Sequence, residues 1–236
     1  MMPRNRPAVA SAAPAWPPGA TLLTIGAPKL LGAGPRRFKR VFDLLFAALL
    51  ALAAALPALL IALAIVLDSR GPVLFAHTRI GKGRRAFRLW KFRSMSDDAA
   101  GRLTEYLAAH PERDREWART RKLRADPRVT RVGRFLRKTS LDELPQLWNV
   151  LRGDMSLIGP RPIVSQEASK YGVGFALYSQ VLPGLTGLWQ VSGRNDTHYS
   201  RRVDLDCQYI RNWTVALDLK ILLKTAAVVA RGRGAY

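Results

Sequence analysis

The chain has 236 residues, enough for one sizeable domain or for a domain and a membrane element. It carries 38 Lys and Arg against 17 Asp and Glu, a formal net charge of +21, which implies an anionic partner: nucleic acid, a phosphorylated small molecule or anionic lipid headgroups. Cys207 is the only cysteine and His77, His110 and His198 are scattered, which excludes an intrachain disulfide and an all-cysteine metal site and argues against a His-rich zinc site.

Residues 1–35 are rich in Ala, Pro and Gly, as in "PAVASAAPAWPPGA", and read as a disordered tail with no packed core. The apolar run behind them begins too deep for a secretory signal. That run, "VFDLLFAALLALAAALPALLIALAIVL", covers Val41 to Leu67 and is uncharged from Leu44 onward. At helical rise those 24 residues make roughly 36 Å, against a hydrocarbon core of roughly 30 Å. Pro57 removes a backbone hydrogen bond inside the run. Both flanks are basic, Arg36, Arg37, Lys39 and Arg40 before it and Arg70, Arg79, Lys82, Arg84 and Arg85 after it. The positive-inside bias then places both ends on the cytoplasmic side. A helix broken at Pro57, entering and leaving through one leaflet, meets that demand. A plain kinked span is the alternative.

Two short strands are expected around the Gly81-Lys82-Gly83 turn, in "GPVLFAHTRIGKGRRAFRLWKFRSM". The charged stretch from Asp97 to Asp126 is helix-prone, broken by Pro111, and reads as a solvated excursion. Residues 181–194, "VLPGLTGLWQVSGR", form a Gly-rich loop around Trp189. The C-terminal stretch from Tyr209 reads as one amphipathic helix with Lys220, Lys224 and Arg231 on its polar side, suited to an anionic membrane surface or to core packing.

Between these lies "TSLDELPQLWN", Thr139 to Asn149. Leu144, Leu147, Trp148 and Leu151 recur at helical spacing and predict a buried face. Ser140 and Glu143 have the spacing of a capping box, and acids near a helix N-terminus suit its dipole. Capping leaves Asp142 unexplained. Arg134, Arg137 and Lys138 precede the acid pair, and Arg161 follows on the proline-stiffened "GPRP" loop. Two carboxylates among guanidinium groups make a place for a phosphate and a divalent cation. One acid can attack phosphorus and its neighbour can hold Mg²⁺, while arginines grip the remaining oxygens. "KFRSM", Lys91 to Met95, offers a further phosphate contact.

The segment "LRKTSLDELPQLWNVLRGDMSLIGPRP", Leu136 to Pro162, resembles the signature of the bacterial sugar transferases, the monotopic polyprenyl-phosphate phosphoglycosyl transferases. "KFRSM", "PGLTGLWQVSGR" and Asn212-Trp213 match further blocks in order, and the resemblance runs from about residue 36 to the C-terminus. The excursion after Met95 and the ending "GAY" look most like members that transfer galactose 1-phosphate to undecaprenyl phosphate. The length is similar to that of the short members that start exopolysaccharide units.

The resemblance implies an α+β membrane-associated fold. It comprises a re-entrant helix at 36–70 broken at Pro57, then a helix-rich catalytic domain at 71–236 with a small β-hairpin and interfacial amphipathic helices, on the cytoplasmic face of the bacterial inner membrane. Leu56 departs from the family, where a serine often precedes the proline. Asp142 would be the nucleophile on the β-phosphate of a UDP-sugar, and Glu143 the holder of Mg²⁺. Arg137 and Arg161 would lie near the phosphates, with Lys91 and Arg93 as further substrate contacts. The partners implied are a UDP-sugar, undecaprenyl phosphate and membrane lipid, with no nucleic acid; a homodimer is compatible and not required. UDP-glucose in place of UDP-galactose is an alternative. A more distant one is a membrane-anchored basic adaptor without catalysis, which the interleaved "RRAFRLWKFR" would serve and which gives the acid pair no role.

Overall fold

A computed structural model of the chain describes residues 29–120, 123, 125–192 and 198–231. Residues 1–28 of the expected tail lie outside these. Its last residues do not behave as tail: a 3-10 turn spans Lys29–Leu31, Leu30 is buried in the core, and helix α1 runs from Ala33 to Asp68.

Helix α1 is 36 residues long, apolar through its middle, and long enough to cross a membrane. It runs on through Pro57 without interruption, so what the proline can impose there is a kink rather than a gap. The proline removes the donor that Ala53 would otherwise meet, and the neighbouring turns carry the helix through. Its ends dock on the folded domain through polar and apolar contacts, and along its middle one face packs there through Ala47, Ala51 and Ala58. Near the start, Arg40 donates to the carbonyls of Val150 and Leu151 at 2.8 and 3.1 Å, and Asp43 accepts from Leu157 N–H at 3.1 Å. Near the end, Ile61 and Ile65 pack with Phe92 and Leu136, and Asp68 accepts from Val132 N–H at 3.1 Å. Between them, Leu52, Leu56 and Leu59 are exposed.

The expected hairpin forms, β1 (Leu74–Ile80) antiparallel to β2 (Ala86–Phe92), with Leu74 opposite Phe92 and Ile80 opposite Ala86. The excursion is two helices, α2 (Ala99–Ala109) and α3 (Pro111–Thr120), with Pro111 opening the second, where a missing N–H is harmless. Then come α4 (Arg131–Thr139), a 3-10 turn at Leu141–Glu143, and α5 (Gln146–Arg152). Strand β3 (Ser156–Ile158) pairs in parallel with β4 (Gly184–Thr186), so the Gly-rich stretch expected as a loop contributes a strand. Its Gly193 and Arg194 lie outside the described residues. Gly184 and Gly159 allow this close pairing: a Cβ on Gly184 would sit 2.1 Å from Gly159 N. The short helix α6 (Gly174–Tyr178) lies between β3 and β4 in sequence.

The expected single C-terminal helix is two, α7 (Tyr199–Arg211) and α8 (Val215–Arg231), divided at Asn212-Trp213. The division lets Trp213 turn inward, where its indole N–H donates to Asp218 at 2.9 Å. Helix α8 packs on the core through Asp218 and Ile221 and exposes Lys220 and Lys224. The main core gathers Leu147, Val150, Met155, Leu157 and Ile158 against Tyr209, Ile210 and Ile221. Trp148, expected on the buried face of α5, is 59% exposed, and Asn149 takes its place inside.

Candidate active site

Asp142 occupies a joint rather than a helix start. Ser140 ends α4 in the left-handed conformation (φ 58°, ψ 17°), which is uncommon for a residue with a Cβ. The chain then makes the 3-10 turn Leu141–Glu143, and Pro145 stands at the N-cap of α5, where its fixed φ suits a first turn. The expected capping box is absent: Ser140 makes no side-chain cap, and only the backbone Glu143 N–H returns to its carbonyl, at 3.2 Å. A residue in the left-handed region points its side chain away from the N–H groups a cap must reach.

The carboxylates are instead met by Lys91 from β2, whose Nζ donates to Asp142 Oδ2 at 3.2 Å and Glu143 Oε1 at 2.7 Å. Asn149 sets that register. It accepts from Trp90 N–H at 3.1 Å and donates to Arg88 carbonyl at 2.8 Å, which locks α5 to β2 one residue from Lys91. Asp142 is 8% exposed. Its burial pushes the carboxyl above the usual carboxylate range; Lys91 opposes the shift and the neighbouring Glu143 charge adds to it.

Arg137, on the last turn of α4, directs Nε to Ser94 Oγ at 2.9 Å. Burial lowers its pKa, against the pull of Asp142 and Asp126. Gly133, one turn earlier, permits this closeness, because a Cβ there would lie 2.0 Å from Ser94 carbonyl. Arg161 stands on the loop after β3, its guanidinium 5.6 Å from the centre of the Trp189 ring. Arg93 is placed differently from the other candidates. It donates to Ser69 carbonyl at 2.6 Å and Ser69 Oγ at 3.0 Å, holding the C-terminal end of α1, where a cation suits the helix dipole.

These side chains line one cleft of about 1120 Å³. Asp142, Glu143, Lys91, Arg137 and Arg161 form part of its lining, and Leu50, Ala54 and Pro57 of the apolar helix form another part. All six residues expected from sequence therefore line one space, Arg93 while bound to the end of α1. The sequence reading missed Ser94, which seats Arg137, although it lies inside "KFRSM". It also missed Arg202, which no motif marked: its guanidinium lies 4.9 Å from Trp189 and 5.0 Å from Tyr199, and Nη1 meets Glu167 at 3.5 Å. Arg202 and Arg161 thus share one indole.

Beside Arg202, the Tyr171 hydroxyl donates to Asp206 at 2.6 Å, and burial pushes the Asp206 carboxyl up to about 7. The folded state then holds this proton more tightly than the unfolded chain does. The resulting stability is present at low pH and lost as pH rises through about 7. Asp206→Asn is expected to flatten that decline in a series of urea midpoints from about pH 4 to 8. An unchanged slope would place its origin elsewhere.

The family model for bacterial sugar transferases matches residues 35–232. The chain belongs to the bacterial sugar transferase family. Over 201 residues, 85% of this chain and 42% of the relative, it is 49% identical to the undecaprenyl-phosphate galactose phosphotransferase of Salmonella typhimurium. It is 47% identical to the exopolysaccharide production protein ExoY of Rhizobium meliloti, covering 84% of this chain and 88% of that protein. The undecaprenyl-phosphate glucose phosphotransferase of Komagataeibacter xylinus is 41% identical over 84% of this chain and 37% of its own. The sugar transferase chain thus spans about two fifths of the Salmonella relative and most of the Rhizobium one.

Proposed function

We propose that this sugar transferase moves a sugar 1-phosphate, galactose 1-phosphate in the first instance, from a UDP-sugar to undecaprenyl phosphate, the opening step of exopolysaccharide assembly. One observation carries the reading. A buried carboxylate ringed by Lys91, Arg137 and Arg161 shares its cleft with side chains of a helix apolar enough for a bilayer. A soluble nucleotide sugar and a phosphate on a lipid can meet only at such a boundary. The names of the relatives at 49% and 47% identity support the substrates, and the 41% relative named for glucose keeps that sugar as the second reading.

In the first step an Asp142 carboxylate oxygen attacks the β-phosphorus, and the bond to the bridging oxygen breaks, releasing UMP and leaving a phosphosugar on Asp142. In the second, a phosphate oxygen of the lipid attacks the same phosphorus and frees the carboxylate. Raising the carboxyl's pKa by burial strengthens it as a nucleophile while Lys91 keeps it ionised. Arg137 and Arg161 balance phosphate charge, and Ser94 and Trp189 hold them at fixed angles.

The residues fit Mg²⁺. Lys91 Nζ already sits between the two carboxylates, so that position suits a cation. Among the described residues no group of three or more His, Cys, Asp or Glu is present, which suits an ion that takes one or two carboxylates and completes its shell with phosphate and water. Glu143 would hold it beside Asp142, and it would supply positive charge to offset that of the phosphates.

Re-entrance of α1 is part of this proposal. Arg40 and Asp68 lie 28 positions apart, about 42 Å at helical rise, yet both bind the same domain. A helix crossing a hydrocarbon core of about 30 Å would carry one of those ends away from it. Both ends then lie at the cytoplasmic face of the inner membrane. Single cysteines at Arg37 and Lys82, in a Cys207→Ser background, are expected to label from the same side; labelling from opposite sides would restore the span. For the chemistry, a panel of UDP-sugars with Mg²⁺ and undecaprenyl phosphate, scored by UMP release, is expected to show turnover with UDP-galactose. No UMP from any sugar would end the proposal.

A further inference from the structure

Arg202 is a buried cation that the phosphate chemistry leaves unused; it is 9% exposed. It lies on the inward face of α7 at helical spacing with Leu205, Asp206, Tyr209 and Ile210, and the last two are wholly buried in the main core. Packing therefore fixes the backbone that carries it. Its Nε and Nη2 nitrogens are buried and have no hydrogen-bond partner among the described residues. Glu167 lies 3.5 Å from Nη1 and is shared with Arg79, at 3.9 Å. A guanidinium so sparsely paired costs stability on burial, and a leucine or methionine would fill the space at less cost. What the guanidinium does meet is two aromatic rings, Trp189 at 4.9 Å and Tyr199 at 5.0 Å, both within cation–π range.

Trp189 stands in the turn after β4, and its indole N–H is buried without a hydrogen-bond partner, so no hydrogen bond sets the tilt of the ring. Trp189 and Arg161 both line the cleft, whereas Arg202 does not. Among the described residues Arg161 forms no ion pair, and the indole 5.6 Å away is what orients it. We propose that Arg202 is a positioning residue for the transfer: anchored on α7, it holds the Trp189 indole as the plate from which Arg161 is presented to the phosphates of the donor. The proposal rests on the transferase reading above. Arg202 itself touches no substrate. The two guanidinium charges also repel each other. With Arg202 fixed on its helix, the displacement falls on Arg161, whose side chain has the cleft before it.

The test is a double-mutant cycle in the full chain, read as kcat/KM for UDP-galactose by UMP release with undecaprenyl phosphate held constant. Arg202→Met, which keeps an apolar stem and removes the charge, is expected to lower kcat/KM by about tenfold. Placed on top of Arg161→Met, the same substitution is expected to lower it no further, because the residue it acts through is gone. Equal losses in the two backgrounds would mean a general effect on the fold and would overturn the proposal. Arg202→Lys, which returns a cation to the ring faces, is expected to recover most of the loss. Equal losses in the lysine and methionine variants would overturn the proposal too, since charge on the indole would then not matter. Arg202→Gln takes the place of the methionine variant in the cycle if that one does not fold. No loss from Arg161→Met alone would remove Arg161 from the phosphates, and the proposal with it. Absence of UMP release from wild type with every UDP-sugar would sink the transferase reading itself, a separate outcome.

Discussion

Asp142→Asn is expected to abolish UMP release, by roughly 10³-fold or more, and to remove the phosphosugar adduct from the protein. The substitution keeps the shape of the side chain and an oxygen for Lys91 Nζ, now 3.2 Å away, while Glu143 retains its own contact at 2.7 Å. The 3-10 turn and the buried surroundings therefore persist, and what disappears is the charge that attacks phosphorus. Two readouts separate this role from a general loss of binding. UMP is measured by coupled assay, and the mass of the protein is measured after mixing with UDP-galactose and no acceptor. Full activity in the variant would remove Asp142 from the chemistry. Retained UMP release with no adduct would favour direct transfer between the two substrates.

Lys39→Met is expected to destabilise the chain by about 3–5 kcal/mol without touching a residue of the cleft. Lys39, Asp43 and Asp218 are all buried, and Lys39 Nζ lies 2.9 Å from Asp218 and 3.7 Å from Asp43. Tyr209 and Trp213 also donate to Asp218, at 2.8 and 2.9 Å. Removing the ammonium leaves two buried carboxylates facing each other with neutral donors alone. Helix α1 would then loosen at its first anchor, which shows as a lower urea midpoint and earlier proteolysis near residue 40. Adding Asp218→Asn should recover part of the loss, because it removes one of the uncompensated charges. No recovery would point to lost packing of the lysine stem rather than to charge.

Much of the candidate site was legible because it depends on residue types crowded into short segments. Asp142, Glu143, Arg137 and Arg161 lie within 25 residues, and Pro145 and the two prolines around Arg161 dictate their own backbone wherever they stand. The hairpin was legible from its Gly-Lys-Gly turn, and the apolar helix from its length. Other readings failed where a tertiary contact overrode a local one. Ser140 fits a capping box by spacing, yet α4 ends on it in the left-handed region. Trp148 fits the buried face by period, while Asn149 goes inside because β2 offers it two backbone partners and Asp154 a third, from its side chain. The short strands β3 and β4 show no alternation: all three residues of β3 are buried, and its partner lies beyond the Arg161 loop, two 3-10 turns and α6.

Composition, the apolar run and the acid pair among arginines were enough to mark a basic chain with a helix apolar enough for a membrane and a candidate phosphate site around Asp142. Those properties are additive, or confined to a few neighbouring residues, and need no knowledge of partners distant in the chain. Only the folded structure decided that Lys91 closes on both carboxylates and that Ser94 and Trp189 seat the arginines. It alone showed that Arg93 serves the end of α1 and that this helix lends a wall to the cleft. Each of those joins residues from elements far apart in sequence. Such contacts arise from packing, where burial and hydrogen-bond satisfaction over the whole domain choose one arrangement among many that local pattern allows.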